Sequence, residues 1–263
     1  MEKLSRKSLL LQVSVFFLLL FFTVSCQLID DLLEDHASKS KTYYGPSVSV
    51  GDGSARAWVM INHAGKPTSV GINFSEQALS GLPDKVEEYV LELPTEANKT
   101  LYKHFTFGWN PEGHEPPGTY DLPHFDVHFY MISNEEREAI TGLAPPAMDP
   151  APAVKYIAPD YVQTPGRVPM MGAHWVDTLS PEFNGSKFTK TFIYGTLNKK
   201  VIFHEPMITR AYFLTKPNEQ IAIKQPEAYQ KSGYYPHKYS IKYKSSSKEY
   251  TVSLDDLTYH HGE

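Results

Sequence analysis

Short segments in which apolar and polar residues alternate recur along the chain from residue 56 onward. Alternation with a period of two, enriched in aromatic and β-branched residues, is typical of strands with one buried face. This pattern predicts strands at residues 56–61, 69–74, 88–93, 102–109, 124–130, 187–194, 200–204, 207–214, 237–243 and 249–254. So many short strands predict a mainly β fold, an antiparallel β-sandwich or jelly-roll-like barrel.

Helical features are confined to two short segments. Ser133 and Glu136 have the spacing of a capping box, and Gly142 stands where a C-cap glycine belongs. Residues 75–83 have room for one or two helical turns. We therefore expect one or two short helices that belong to the scaffold.

The first 25 residues have the pattern of a secretory signal. Lys3, Arg6 and Lys7 precede an apolar stretch at residues 9–22, which is short for a transmembrane helix. Cys26, the only cysteine in the chain, follows directly and resembles the lipidated cysteine of a bacterial lipobox. Thr23 stands where lipoboxes usually have leucine, and an ordinary cleaved signal or a retained anchor are the alternatives.

The remaining chain divides into a tether and one domain. Residues 26–42 are polar and acidic, which predicts a tether, and residues 43–259 predict a single β-rich domain. Residues 143–169 hold seven of the 20 prolines, which excludes a central strand or a helix there. This segment is either an interdomain linker or a long packed loop, and its apolar content favours the packed loop.

Composition and charge limit the classes of partner that the protein is expected to bind. Hydrophobic residues make up 41% of the chain, enough for a core, and the formal charge of −5 gives no basis for binding nucleic acid. An acidic protein is not drawn to anionic lipid, so lipidated Cys26 would be its route to the membrane. We expect the bacterial cell envelope, and the outer membrane in a Gram-negative organism because Gln27 follows the cysteine.

The strand at residues 124–130 carries the strongest chemical signal. His124, Asp126, His128 and Tyr130 share one face, and apolar residues occupy the other. Residues two apart along a strand have Cα atoms about 6.5 to 7 Å apart, so His124 and His128 could converge on one metal ion, with Asp126 as a third ligand or as the partner that orients a ring N–H. Tyr130 would then be a donor or acid close to the ligands. The alternative is a solvated sheet face with ordinary hydrogen bonds.

Three residues elsewhere in the chain could complete this site. His114 lies in a turn-rich loop before the strand, His174 lies between small residues and Trp175, and Glu205 ends another strand. His204 and Glu205 point to opposite faces of their strand, so at most one of them can join the site. Imidazole and carboxylate ligands suit Zn, Fe, Mn, Cu or Ni and do not select among these divalent ions.

Four segments, "GTYDLPHFDVHFYMIS", "MGAHWVD", "SPEF" and "FIYGTLNKKVIFHEPMIT", resemble an uncharacterised family of secreted bacterial proteins and lipoproteins with an HFDxHFYMI motif. The resemblance implies a β-rich secreted domain in which the histidine segments form one site. It supplies no reaction and no catalytic residue.

A second likeness concerns architecture alone. Gly118 precedes His124 and Gly172 precedes His174 in a way that resembles the glycine–histidine motifs of cupin barrels. Where cupins have His-x-His, this chain has His124-x-Asp126.

Together these features predict an envelope lipoprotein whose β-barrel-like domain binds a divalent transition metal, in a binding or structural role. The alternative is a metal-dependent hydrolase or oxygenase that uses the same residues. A small-molecule ligand and self-association into a homo-oligomer stay open as partners.

Overall fold

Antiparallel strand pairing organises residues 40–263, the part of the chain that the computed structural model describes. A six-stranded sheet contains, in spatial order, β1 (Lys41–Val50), β2 (Gly53–Ile61), β3 (Pro67–Ser75), β14 (Glu249–Asp255), β13 (Lys238–Lys244) and β11 (Asn218–Ala222). A seven-stranded sheet contains β4 (Glu87–Glu92), β5 (His104–Asn110), β6 (His124–Tyr130), β10 (Lys200–Thr209), β9 (Lys190–Leu197), β8 (Ala173–Asp177) and β7 (Tyr161–Gln163). β12 (Gly233–Tyr235) and β15 (Thr258–His260) form a small ribbon.

The two large sheets make a sandwich. Each keeps two separate edge strands, β1 and β11 in one and β4 and β7 in the other, so the sheets do not close into a barrel. The predicted mainly β, antiparallel sandwich is therefore confirmed, and the barrel form of that prediction is wrong. Closing a barrel requires the first and last strands to pair, which these sheets do not do.

Aromatic side chains fill the space between the sheets. Phe74 of the six-stranded sheet packs on Phe107 of the seven-stranded sheet with ring centroids 4.9 Å apart, and on Tyr250 at 5.1 Å. Phe107 and Phe125 stack across β5 and β6 at 4.6 Å. Because side chains alternate along a strand, this core takes Phe125, Val127 and Phe129 from β6 and leaves the other residues of β6 on the opposite face.

That opposite face of the seven-stranded sheet is also covered. Tyr130, Ile140, Ile202 and Phe203 form one apolar cluster on it. A second cluster comprises Tyr120, Val176, Phe188, Ile193 and Met207. The polar residues of β6 consequently lie between two apolar clusters and are shielded from water.

The proline-rich segment at residues 143–169 lies against the seven-stranded sheet and contributes its edge strand β7. Buried Asp149 organises it, because its carboxylate accepts hydrogen bonds from Arg167 Nη1 at 2.9 Å and from the Asn198 backbone N–H at 2.8 Å. The segment also carries a 3-10 turn at Val154–Tyr156.

Two α-helices lie within the described residues. α1 (Asn134–Glu138) begins at the predicted capping box, in which Ser133 Oγ accepts from the Glu136 backbone and Glu136 accepts from the Ser133 backbone. Residues 76–79, expected to form helical turns, make a 3-10 turn. α2 (Arg210–Leu214) replaces the end of the strand predicted at 207–214, because the Thr209 side chain caps the Tyr212 N–H.

The bounds of β10 also differ from those predicted. It is continuous through Pro206, where the sequence predicts two separate strands. Proline lacks an amide proton, and the pairing of β10 with β6 has no Cα partners between His204 and Met207. Pairing with β9 continues across this gap and keeps the strand intact.

The predicted signal peptide, Cys26 and the tether up to residue 39 lie outside the described residues. β1 begins at Lys41, so the last two residues of the predicted tether belong to a strand. Within residues 40–263, neither helix has the length and apolar character needed to cross a bilayer.

Candidate metal centre

Three strands place candidate ligands on the covered outer face of the seven-stranded sheet. β6 supplies His124, Asp126 and His128, and antiparallel pairing with β10 puts Glu205 on the same face. His174 of β8 lies opposite Gly195 of β9, which in turn lies opposite Phe203 of β10. The sheet register therefore gathers ligands that are up to 81 residues apart in the sequence.

The six predicted ligands lie in two groups of three. His114, His124 and Asp126 form the first triad, and His128, His174 and Glu205 form the second triad. Within each triad, one potential ligand atom from each residue lies within 4.8 Å of the others. The sequence predicts one site on this strand face, and the structure divides its residues between two neighbouring ones. The reason is that successive same-face residues of a strand are about 6.5 to 7 Å apart, and His128 turns toward Glu205 of the adjacent strand.

Backbone carbonyls fix the orientation of both imidazoles in the first triad. His124 Nδ1 donates to the Leu122 carbonyl at 2.6 Å, and His114 Nδ1 donates to the Glu115 carbonyl at 2.8 Å. A carbonyl oxygen only accepts, so each neutral ring carries its proton on Nδ1 and a lone pair on Nε2. An Nδ1–H bonded to a carbonyl is the usual orienting partner of a metal-ligating histidine.

Those lone pairs face the carboxylate of Asp126. His124 Nε2 lies 3.1 Å from Asp126 Oδ1, and His114 Nε2 lies 3.4 Å from Oδ2. Neither His124 Nε2 nor Asp126 Oδ1 makes a hydrogen bond with any described residue. Metal bonds of about 2.1 Å separate adjacent ligand atoms by about 3.0 to 3.4 Å in octahedral or tetrahedral geometry. The observed separations fit an ion held between the rings and the carboxylate.

Asn110 completes this end of the face. It lies opposite His124 on β5, and its Nδ2 donates to Asp126 Oδ2 at 2.7 Å. This hydrogen bond orients the carboxylate so that Oδ1 is directed at His124. A bound carboxylate with such a partner is typical of metal sites, because the outer partner holds the ligand in place.

In the second triad, two imidazoles approach the same carboxylate oxygen. Glu205 Oε2 lies 3.3 Å from His128 Nε2 and 3.8 Å from His174 Nε2. Glu205 Oε2 and both ring nitrogens of His128 have no hydrogen-bond partner among the described residues. His128 and Glu205 are buried, so these polar atoms have lost water without gaining a protein partner.

The pKa shifts of the second triad bear on how it would bind a cation. Burial lowers the pKa of His128 to about 3 and that of His174 to about 4, which keeps both rings neutral at neutral pH. Burial, together with the nearby Asp126 and Glu88 carboxylates, raises the pKa of Glu205 well above its usual range. A divalent ion would reverse that shift by stabilising the carboxylate.

The first triad differs in charge. Burial opposes ionisation of Asp126, but the adjacent His124 and His114 imidazoles, when they are protonated, hold its pKa well below the usual range. Burial also opposes protonation of His114, yet Asp126 raises the pKa of His114 above its ordinary value. The His114 side chain is 38% exposed and gives this triad an edge toward solvent.

Tyr130 has a different place from the one that its position on β6 suggests. Its hydroxyl donates to the Met170 carbonyl at 3.3 Å. Its ring stacks on His128 at 5.2 Å and on His104 at 4.8 Å. Its contact with the second triad is therefore through the face of the ring.

His104 also lies beside the second triad and was not predicted from the sequence. This residue of β5 pairs with Tyr130, is buried, and has no hydrogen-bond partner for either ring nitrogen within the described residues. The segment "YKHFTFGW" shows His104 in phase with Thr106 and Gly108, so its face could have been assigned. Which strand it would pair with could not.

The family described as "TTHB210-like: Hypothetical protein TTHB210" matches residues 62–109. This segment includes β3, β4 and nearly all of β5, and it ends before His114, so all six triad residues lie outside it. The segment is thus similar to a family of hypothetical proteins. No curated protein and no solved structure matches the chain.

Two histidines and one carboxylate in each triad form a recognised ligand set. It occurs with Zn in hydrolases and with Fe in oxygenases, where a water or a substrate takes the remaining positions. The residues of both triads therefore fit a divalent transition metal, and the donor atoms alone do not select which one.

Proposed function

We propose that this protein binds two divalent transition-metal ions, one in each triad, in a binding or structural role. The contact between His124 and Asp126 carries the proposal. With Nδ1 committed to the Leu122 carbonyl, a neutral His124 directs an Nε2 lone pair at Asp126 Oδ1 from 3.1 Å. Two buried acceptors at this distance repel each other unless a proton on Nε2 or a metal cation lies between them.

Burial of the second triad supports the same conclusion. The Glu205 carboxyl group and the His128 imidazole, both without hydrogen-bond partners among the described residues, cost the fold several kcal/mol when left unsatisfied. A bound ion would offset that cost by coordinating the atoms that lack partners. Two sites rather than one follow from the division of the ligands, since Asp126 and Glu205 each have their own pair of histidines.

A structural or binding role is favoured by the cover over the site. The described residues enclose cavities of about 590 and 170 Å³, and neither cavity is lined by a triad residue. The alternative, a metal-dependent hydrolase or oxygenase, is favoured by one observation. His114 is partly exposed, and three protein ligands leave a coordination position free for water or substrate.

The envelope location belongs to the same proposal. The positive residues and apolar stretch at 1–25, followed by Cys26, support a lipid-anchored protein of the bacterial envelope. Mass spectrometry of the mature N-terminus would test this, with Cys26→Ser as the comparison. A mature chain without acyl groups on Cys26 would refute the anchor and would leave the metal proposal unaffected.

Metal analysis by ICP-MS on purified residues 27–263 tests the metal proposal. His114→Gln removes a ligand of the first triad, and His174→Gln removes one of the second; both side chains are less buried than their partners, which limits damage to the fold. His261→Gln, at the exposed C-terminal end, is the matched control. Circular dichroism would check each variant for folding.

The expected result is two equivalents of metal in wild type and in the control, and about one in each triad variant. A wild type that retains no metal after repletion at neutral pH would refute the proposal, and His124 and Asp126 would then be an ordinary ion pair. A single equivalent that only one variant removes would restrict binding to that triad. Metal-dependent hydrolysis or oxygen consumption that His114→Gln abolishes would favour the enzyme.

A further inference from the structure

The larger cavity lies at the face of β10 that carries His204, opposite to the face that carries Glu205 of the metal centre. Its volume is about 590 Å³, within the range of about 300 to 1,000 Å³ typical of small-molecule sites. Tyr194 of β9 and His204 of β10 form part of its wall. Residues of the segment 223–236, which follows β11, form the opposite wall.

Six phenylalanine and tyrosine side chains line the cavity, and most of their polar groups are satisfied by the protein. Tyr161 donates to the Phe192 carbonyl at 2.7 Å, Tyr229 donates to Gln225 at 2.7 Å, and Tyr235 donates to the Lys231 carbonyl at 2.8 Å. These hydroxyls are unavailable to a ligand, so their rings present flat apolar surfaces. Such walls suit an aromatic body, which can stack or make edge contacts with them.

Tyr194 is the exception. It is 6% exposed, and its hydroxyl has no hydrogen-bond partner among the described residues. A buried donor of this kind costs free energy unless a ligand accepts from it.

His204 supplies a second donor beside the first. It lies directly opposite Tyr194 in the sheet, which brings the two side chains together on one face. Its Nδ1 lies 2.9 Å from the hydroxyl of buried Tyr102. If the Tyr102 proton is given to Nδ1, both groups are satisfied, and Nε2 then carries the proton of the neutral ring.

Among the charged side chains that line the cavity, Lys200 and Lys231 are the two that form no ion pair with another described residue. Lys200, Lys224 and Lys231 line it against a single carboxylate side chain, that of Glu263. Lys224 is bound to Asp160 and Asp177, and Glu263 to Lys155. Lys200 and Lys231 therefore favour an anion in the cavity.

We propose that this cavity binds an aromatic carboxylate, with its ring among the tyrosines and its carboxylate accepting from Tyr194 and His204. The inference is independent of the metal centre. The ligand is an acid because the donors of Tyr194 and His204 need acceptors and because Lys200 and Lys231 line the same cavity. A neutral apolar compound would leave the Tyr194 proton unsatisfied.

Isothermal titration of residues 27–263 with 2-naphthoate and 3-phenylpropionate, each beside its primary amide, tests the proposal. Tyr194→Phe removes only the hydroxyl, and Tyr234→Phe, outside the cavity, is its control. Ala228→Phe fills the space from a buried lining position. Thermal unfolding would confirm that each variant is folded.

We expect saturable binding of at least one acid, tighter than that of its amide. Tyr194→Phe should weaken it about tenfold, as expected for a hydrogen bond to a charged group, and Ala228→Phe should abolish it. Tyr234→Phe should leave it unchanged. Absence of saturable binding by both acids would overturn the proposal, as would amides that bind equally well or affinity that Tyr194→Phe does not change.

Discussion

Acidification should destabilise this fold through His104, and the size of the effect follows from its burial. The side chain is 5% exposed, and neither ring nitrogen has a hydrogen-bond partner within the described residues. Burial, reinforced by the Arg137 guanidinium, lowers the pKa of His104 from 6.5 to about 4. The unfolded chain therefore takes up a proton near pH 6.5 that the folded chain accepts only near pH 4.

Between about pH 4 and pH 6.5 the unfolded state binds more protons at His104 than the folded state does. The free energy of unfolding therefore falls as the pH drops from 6.5 toward 4, and His104 does not lower it above pH 6.5. One pKa unit corresponds to about 1.4 kcal/mol, so moving from about pH 7 to about pH 5 costs about 2 kcal/mol at this histidine. His104→Phe keeps a ring against Tyr130 and removes the titration. Over the same interval it should lose about 2 kcal/mol less stability than wild type.

Urea unfolding followed by tryptophan fluorescence measures this difference. A chelator at both pH values removes any contribution from metal release. His261→Phe, at the exposed C-terminal end, should follow wild type. If His104→Phe loses as much stability as wild type between the two pH values, His104 is not a buried neutral imidazole in the folded state, and the reasoning fails.

Four further substitutions, one of them a control, test a close contact, an ion pair and a helix cap, each measured by urea unfolding against wild type. Gly195→Ala should destabilise by about 1 to 3 kcal/mol, since a Cβ there would lie 2.0 Å from the Phe203 ring, whereas Gly108→Ala, whose nearest atom is 3.6 Å away, should have a small effect. Equal losses would contradict this. Arg137→Met should cost about 2 to 3 kcal/mol because it leaves the largely buried Glu88 carboxylate unpaired, and a neutral result would mean that the Arg137–Glu88 pair contributes nothing. Ser133→Ala should cost about 1 kcal/mol by removing the N-cap of α1, and an unchanged stability would show that the capping box is dispensable.

Local periodicity was sufficient to predict the strand that carries the site. The alternation of β6 depends only on its own residues, so its polar and apolar faces could be assigned without knowing the fold. The same holds for the capping box of α1, whose two partners are three residues apart.

Pairing between distant strands was not predictable in this way. His128 meets Glu205 because β6 pairs with β10, and His104 meets Tyr130 because β5 pairs with β6. Neither register is encoded in a short window, so the separation into two triads and the position of His104 came only from the structure. β1 was missed for another reason: as an edge strand with exposed polar residues, it lacks the apolar alternation that marks a half-buried strand.

The alternation of β6 also makes the site intolerant of insertions and deletions. β6 has paired neighbours on both sides, with Phe125, Val127 and Phe129 in the core and His124, Asp126 and His128 on the other face. A shift of one residue would exchange these two sets, placing two imidazoles and a carboxylate in hydrocarbon. Substitutions, which keep the register of β6, are therefore the changes by which this site can vary. The loop that carries His114 can change length without altering that register.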